Sequence, residues 1–292
     1  MKRKKIKIFD VVNTILMVIL MIIALYPFLY VVFASFSDPW ELVKHKGILW
    51  KPLGFTLEGY ASVFKNRSIL TGYITTLINL FGGTTINIIL TLFAAYAVSR
   101  KKFLLKKPIT IMIVFTMFFN SGIIPRFLVV KELGLYDSRW AMILPTAINV
   151  FNLVIMRTAI EGLPDSLEEA AVLEGANDFD ILFRIVVPLI KSTIAVLVLY
   201  YGVAHWNQWY QALMYIQTRD KYPLQLVLRE ILIGNSFESM SAGSADSSGE
   251  SVVIGEVIKY ATIIVSTVPI LVIYPMLQKH FVKGVMVGAV KE

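Results

Sequence analysis

Leu163-Pro164-Asp165-Ser166-Leu167-Glu168-Glu169-Ala170-Ala171-Val172-Leu173-Glu174-Gly175-Ala176, running on to Ile185-Val186-Val187-Pro188, is an acidic island between two long apolar runs. Ser166 followed three residues later by Glu169 has the pattern of a capping box, and Pro164 just upstream suits a helix start. Gly175 is placed to take a positive φ and close that helix. Asn177 or Asp178 can cap a second short helix, which Pro188 interrupts. The stretch therefore reads as helix, glycine elbow, helix. Ala170 and Ala171 lie together on a surface small enough for a partner to approach closely.

What surrounds the island sets the class. Hydrophobic residues make up 57% of the 292 and charged residues only 16%, a balance typical of a polytopic membrane protein and far from a soluble domain. The length holds about six spans of roughly 20 residues with their loops. The absence of cysteine excludes disulfides, thiolate catalysis and cysteine-ligated metals. A net charge of +8 does not point to nucleic acid, because the lysines sit beside apolar spans and not on a soluble face.

Outward from the island, the spans fall at about 11–33, 72–98, 108–130, 140–156, 192–213 and 257–278. The first follows Lys2, Arg3, Lys4, Lys5 and Lys7 and is too long for a signal peptide, with Tyr26-Pro27-Phe28 where a small-residue cleavage site would lie. The second belongs to an uncharged run from Ser68 to Ser99, which would make about 48 Å of helix, too long for one straight crossing and too short for a hairpin of two. Pro145 lies in the fourth, Pro269 and Pro275 in the sixth, which ends at Lys279-His280. Residues 34–68 and 215–255 read as extracellular loops. The first carries Trp40 and Trp50, which suit an interface, and 239–251 in the second is rich in Ser, Gly and Ala. The segment 223–232 reads as an amphipathic helix on the outer face.

Charge gives the orientation. With the N-terminus inside, the inner segments hold 16 Lys and Arg in 67 residues and the outer ones 12 in 90. The short segments 1–10 and 100–107 dominate that bias. The inner segment 157–191, which holds the island, carries seven Asp and Glu against three basic residues, which the rule permits because acids weigh little in it. The expected fold is an all-α polytopic membrane protein of six transmembrane helices with both termini cytoplasmic, and residues 160–190 form a cytoplasmic loop. The whole chain, 1–292, reads as a single transmembrane domain.

Covalent chemistry finds no support. There is no Gly-x-x-x-x-Gly-Lys-Ser/Thr phosphate loop and no Gly-x-Ser-x-Gly elbow. His45, His205 and His280 are too scattered for a recognisable metal motif.

Glu169-Ala170-Ala171, three residues, Gly175, nine residues, Ile185, one residue, then Val187-Pro188 resembles the EAA signature of permease subunits of binding-protein-dependent ABC importers. The pattern departs at Val187, where the family usually has Leu, and at Glu174, where sugar-transporting members usually have Asp. The likeness extends over nearly the whole chain and is to the maltose-permease kind of type I importer. It implies that 160–190 is a coupling loop, with Ser166, Glu168, Glu169, Ala170, Ala171, Glu174, Gly175 and Pro188 meeting an ATPase. It implies four partners: a second permease, a pair of ATP-binding subunits and an extracellular solute-binding protein. ATP and Mg then belong to the ATPase, and this chain binds no cofactor and catalyses no reaction. The implied substrate is carbohydrate, an oligosaccharide or a polysaccharide-derived one, which the Lys221-Tyr222-Pro223-Leu224-Gln225 stretch also suggests by resemblance. A permease for peptides or amino acids and an ion-coupled secondary transporter stay open as alternatives. The latter usually shows buried ionisable residues and repeated halves.

Candidate pathway residues follow from chemistry. His205-Trp206-Asn207-Gln208-Trp209-Tyr210-Gln211 ends the fifth span, and similar sugar permeases often have Trp-Asn followed by an aromatic there. Trp206, Trp209 and Tyr210 offer faces that stack on sugar rings, and Asn207 offers an amide for hydroxyls. The same aromatics suit a membrane interface equally well. Asn79, Asn87, Asn120, Asn149 and Asn152 lie in or near spans, where they either line a hydrophilic path or join helices by hydrogen bonds. Arg126 and Arg157 read as snorkelling or loop-end charges.

Overall fold

The computed structural model describes residues 8–101, 103–119, 121–241 and 255–272, and within 235–241 the backbone only. All regular elements among them are helices. In chain order they are α1 (Ile8–Ser35), α2 (Pro39–Lys44), α3 (Glu58–Lys65), α4 (Arg67–Ser99), α5 (Lys106–Phe118), α6 (Ile123–Glu132), α7 (Trp140–Thr146), α8 (Val150–Glu161), α9 (Asp165–Leu173), α10 (Asp178–Leu189), α11 (Lys191–Trp206), α12 (Tyr210–Tyr215), α13 (Leu224–Ser241) and α14 (Gly255–Val272). The N-terminal lysines, Asn120, residues 242–251 of the serine-rich run, Pro275 and Lys279-His280 lie outside the described residues.

Among the described residues three helices, α1, α4 and α14, are each long and apolar enough to cross a membrane, and up to six crossings result if each bent pair is one span. Those pairs are α5 with α6, α7 with α8, and α10 with α11. The breaks have local causes. Gly122, with φ +81°, precedes α6 and divides the stretch expected as one third span. Leu144–Thr146 tightens to a 3₁₀ turn around Pro145, after which Asn149 restarts the helix by accepting the Asn152 N–H at 3.2 Å, with a 51° bend. α4 stays continuous but widens to a π-helical turn at Asn79–Gly83. The helix of the expected fifth span, 192–213, stops sooner, since α11 ends at Trp206. Asn207 closes it by donating its side-chain N–H to Val203 O at 3.0 Å.

By compactness the chain divides into two units, the first drawn from residues 1–69 and 228–268, the second from 70–227 and 269–292. In the first, Ala34, Leu42, Leu49 and Val257 are buried together. The loop after α1 is folded onto itself: Asp38 caps α2 through the Trp40 and Glu41 N–H groups, and the Ser37 hydroxyl accepts from Leu53 N at 3.0 Å. Gly59 meets Val257 so closely that a Cβ there would stand 2.7 Å from a valine methyl.

In the second unit, Asp137 ties residues 216–221 to the segment before α7. Its own backbone takes a left-handed φ of +54°. Its carboxylate accepts from the Thr218 hydroxyl, from the Gln217 and Thr218 N–H groups at 3.0 and 2.9 Å, and from Lys221 at 3.0 Å. These donors, the Thr218 hydroxyl foremost, hold the Asp137 carboxyl well below the usual carboxylate range. A carboxyl depressed in the folded state stabilises it fully above the unfolded value, and that contribution fades as the pH falls toward the folded one. Asp137→Asn is therefore expected to lower the midpoint of thermal unfolding at neutral pH. The gap to the parent narrows only below about pH 4, which circular dichroism melts over that range will check.

Candidate functional site

The acidic island is the element whose geometry is most unlike a solvated loop. α9 starts at Asp165 with Pro164 as its N-cap, two positions earlier than a Ser166 cap requires, so the Ser166–Glu169 box does not form. Pro164 has no N–H to leave unmet and a fixed φ that suits a helix entrance. Asp165 and Glu168 occupy the first turn, where the helix dipole favours acids. At the other end Gly175 has φ +84°. Its N–H bonds Val172 O and the Ala176 N–H bonds Ala171 O, both at 3.0 Å, which is a Schellman closure. Asn177 then caps α10 by accepting the Asp180 N–H at 2.9 Å.

Pro188 does not interrupt α10. Ile181–Val186 opens into a π-helical turn, with Val187 N bonded to Leu182 O, and Pro188 sits in the turn that follows. Widening the ladder absorbs the donor that proline lacks. The break comes two residues later, at Ile190, where α10 and α11 diverge by 82°.

The two alanines separate. Ala171 is buried in a cluster with Leu92, Ala95 and Tyr96 of α4, Met156 and Ile160 of α8, and Ile181 and Leu182 of α10. Ala170 stays exposed, so they do not share one surface, because neighbours on a helix point about 100° apart. The outward stripe is instead Ser166, Glu169, Ala170 and Leu173, at the i, i+3, i+4, i+7 spacing, with Leu173 88% exposed. Glu174, Gly175 and Pro188 are exposed as well, whereas Glu168 is half-buried.

Glu168 faces a basic group that sequence reading treated only as an orientation signal. Arg100 pairs with Glu168, Lys101 with Asp165, and Lys106 with Glu161 at 2.8 Å. Glu161 also takes Arg157 at 3.0 Å, so Arg157 is a paired helix-end charge. The Arg100 guanidinium lies 3.7 Å from the centre of the Tyr96 ring, and the Tyr96 hydroxyl donates to Asp178 O at 3.1 Å. The Asp165 hydrogen bond raises the Lys101 ammonium pKa above its ordinary value. A groove of about 1240 Å³ runs beside these pairs, lined among others by Phe93, Arg100, Glu161, Leu173 and Phe179. Opposite charge in two short segments, 100–107 and 157–180, was the available signal for this clasp.

A second polar cluster lies between α4, α7 and α11. Asn87 donates to both Thr146 O and Ala147 O at 2.8 Å, and its carbonyl oxygen lies 2.8 Å from His205 Nε2. His205 Nδ1 is 3.4 Å from Gln208 Oε1, and Gln208 donates to Met142 O at 2.5 Å. Tyr201 OH shares a hydrogen bond with Thr91 at 2.7 Å and accepts the Asn149 N–H at 3.0 Å. Gly83 makes room for the imidazole, since a Cβ there would stand 2.5 Å from His205 Nε2.

The pathway candidates divide around this cluster. Trp206 is buried with its indole N–H unbonded and its ring edge-on to Tyr73 at 6.2 Å. Asn79 and Asn152 are buried, and Asn79 approaches Met142 Sδ at 3.7 Å while its carbonyl oxygen has no partner. Asn149 and Asn207 are exposed, and their side chains serve helix ends. Trp209 and Tyr210 lie at the surface, edge to face at 5.6 Å. The hydrogen bonds of His205, Gln208, Tyr201 and Thr91 escaped sequence reading, because they join residues up to 118 positions apart.

An all-helical chain with several apolar helices and this elbow between two of them has the architecture of an importer permease. It belongs to the family of binding-protein-dependent transport system inner membrane components, whose model matches residues 87–287. It is thus a multi-pass protein of the cytoplasmic membrane. A polygalacturonan/rhamnogalacturonan transport system permease, YtcP of Bacillus subtilis, is 40% identical over 98% of this chain and 99% of its own. The protein LplC of the same organism is 37% identical over 98% and 95%. A crystal structure of a bacterial ABC transporter involved in the import of the acidic polysaccharide alginate matches with a TM-score of 0.86 and 30% identity, covering 96% of this chain and 99% of the other.

Gly83→Ala is expected to cost about 1–3 kcal/mol of stability by displacing the buried imidazole, and much less in a His205→Ala background. A double-mutant cycle of unfolding midpoints in detergent measures the difference, and equal costs in both backgrounds would refute the contact.

Proposed function

We propose that this chain is one of two membrane-spanning subunits of an ABC importer that takes up oligosaccharides derived from an acidic polysaccharide. The observation that carries the reading is the elbow: an exposed stripe of Ser166, Glu169, Ala170 and Leu173 on a helix clamped from behind by Arg100 and Lys101. A surface that is open on one side and rigidly backed on the other is suited to receive force from a docked partner. In this reading the elbow faces the cytoplasm, and two ATP-binding subunits hydrolyse ATP there. Their closure moves the elbow and switches the spans between inward-open and outward-open states. A second permease completes the path, and an extracellular solute-binding protein delivers the sugar to loops within 34–68 and 215–255.

The substrate class rests on the relatives. One is named for polygalacturonan and rhamnogalacturonan and a structural neighbour imports alginate, all acidic polysaccharides. Uptake of labelled oligogalacturonides by proteoliposomes containing the whole importer, compared with neutral oligosaccharides of equal length, tests it. Preference for the neutral sugars would overturn the acidic assignment.

Gly175→Pro tests the elbow. Proline is held near φ −65° and has no N–H, so it can neither take the +84° of Gly175 nor bond Val172 O. Gly175→Pro and Glu169→Lys are both expected to insert in the membrane and to hydrolyse ATP through the partner subunits with little or no uptake. Uptake at the parent rate by either variant would count against the coupling role.

A further inference from the structure

The elbow is joined to two spans by the chain and to a third by contacts alone. Its covalent links are the three residues from Gly162 to Pro164 and the 82° break at Ile190. Both are places where the backbone changes direction. Its contacts with α4 have no such hinge. Leu92, Ala95 and Tyr96 share a buried cluster with Ala171, Ile181 and Leu182, which belong to both helices of the elbow. Phe93 meets Phe179 and Phe183 edge-on at 6.4 and 6.1 Å. Arg100 then ties the polar side together, pairing with Glu168 of α9 while stacking on Tyr96, whose hydroxyl holds Asp178 of α10. Lys106 fastens the same corner, bonding Ser99 O at 3.0 Å and Glu161 at 2.8 Å.

We propose that residues 92–101 of α4 and its end travel with the elbow as one rigid body, so that the second span, and not only the fourth and fifth, is driven directly. Arg100 is the positioning residue of that body. It touches neither ATP nor sugar; it holds both elbow helices to one transmembrane helix. The inference rests on the coupling role of the elbow proposed above, and adds which helix receives the motion first. Asn87 lies on the same helix and holds the carbonyls at the α7–α8 break, so a shift of α4 reaches that break without an intermediate.

The chain has no cysteine, which makes a paired substitution clean. Lys101→Cys with Asp165→Cys, bridged by a short bifunctional thiol reagent in the assembled importer, joins α4 to α9 covalently. Uptake per ATP hydrolysed is expected to be at least as high after bridging as before. Arg100→Gln is expected to lower that ratio about threefold, the bias that a partly buried ion pair of modest strength supplies, and Arg100→Lys to recover most of it. A residue that merely stabilised the fold would change the amount of assembled importer and leave the ratio alone. Loss of uptake on bridging, or an unchanged ratio in Arg100→Gln, overturns the proposal. A photo-crosslinker at Ser166 separates the two readings: if it never captures an ATP-binding chain, the coupling role itself fails, whereas capture combined with a bridged, inactive pair refutes only the rigid body.

Discussion

A helix that breaks within hydrocarbon strands carbonyls that water cannot reach, and each must find a donor inside the protein. The helix pair α7 and α8, a candidate span, bends by 51° after Pro145, and the carbonyls of Met142, Thr146 and Ala147 lie at that break. Asn87 supplies two N–H groups to Thr146 and Ala147, and Gln208 supplies one to Met142. His205 stands between those two amides and contacts both. The cluster thus turns a backbone fault into a joint between three spans. An apolar residue at position 87 would take the side-chain donor from the Thr146 and Ala147 carbonyls, at a cost of roughly 1–3 kcal/mol for each orphaned group. The close approach of Gly83, the last residue of the π-helical turn in α4, to the imidazole is part of the same joint, since a Cβ there would leave no room for the ring.

The elbow solves a different problem with different forces. Exposed ion pairs are individually weak, about 0–1 kcal/mol, and that of Lys101 with Asp165 would not hold a segment in place alone. What holds it is the burial of Ala171, Ile181 and Leu182 against α4 and α8. The charges add direction. Acids in the first turn of α9 meet bases just beyond the end of α4, so each helix end carries the sign its dipole favours. Apolar contact fixes the distance and the ion pairs fix the register.

Much of the helical plan was legible because composition and uncharged runs report hydrophobic thickness directly. The closing glycine and the Asn177 cap were legible too, since a positive φ and an open helix start each demand few residue types. The Ser166 box was misread because the helix starts two residues sooner, after Pro164, and a capping pattern does not say which of two nearby starts wins. The interruption at Pro188 was misread because a π-helical turn can carry a proline without a break. For the site, the exposed acids were visible as a charge run, but their basic partners were assigned wholly to membrane orientation. The Asn87–His205 contact spans 118 positions and has no local signature at all.

Burial within one chain also sorts the polar residues by task. Asn79, Asn152 and Trp206 are enclosed by this chain's own helices, so a sugar could reach them only if those helices parted. Asn149 and Asn207 spend their side chains on helix ends. Trp209 and Tyr210 keep open aromatic faces directly after the point where α11 stops. If the proposed path runs along the boundary with a second permease, these two are the pathway candidates placed to meet a sugar without unpacking the spans. The amides behind them then act on the substrate indirectly, by holding the break in α7–α8 and the end of α11 in register. The joint and the elbow share α4, with Asn87 thirteen residues, or about 20 Å of helix, from Arg100. A helix of that length transmits a tilt at one end to the other, and the elbow and the Asn87–His205 joint stand at the two ends of this stretch of α4.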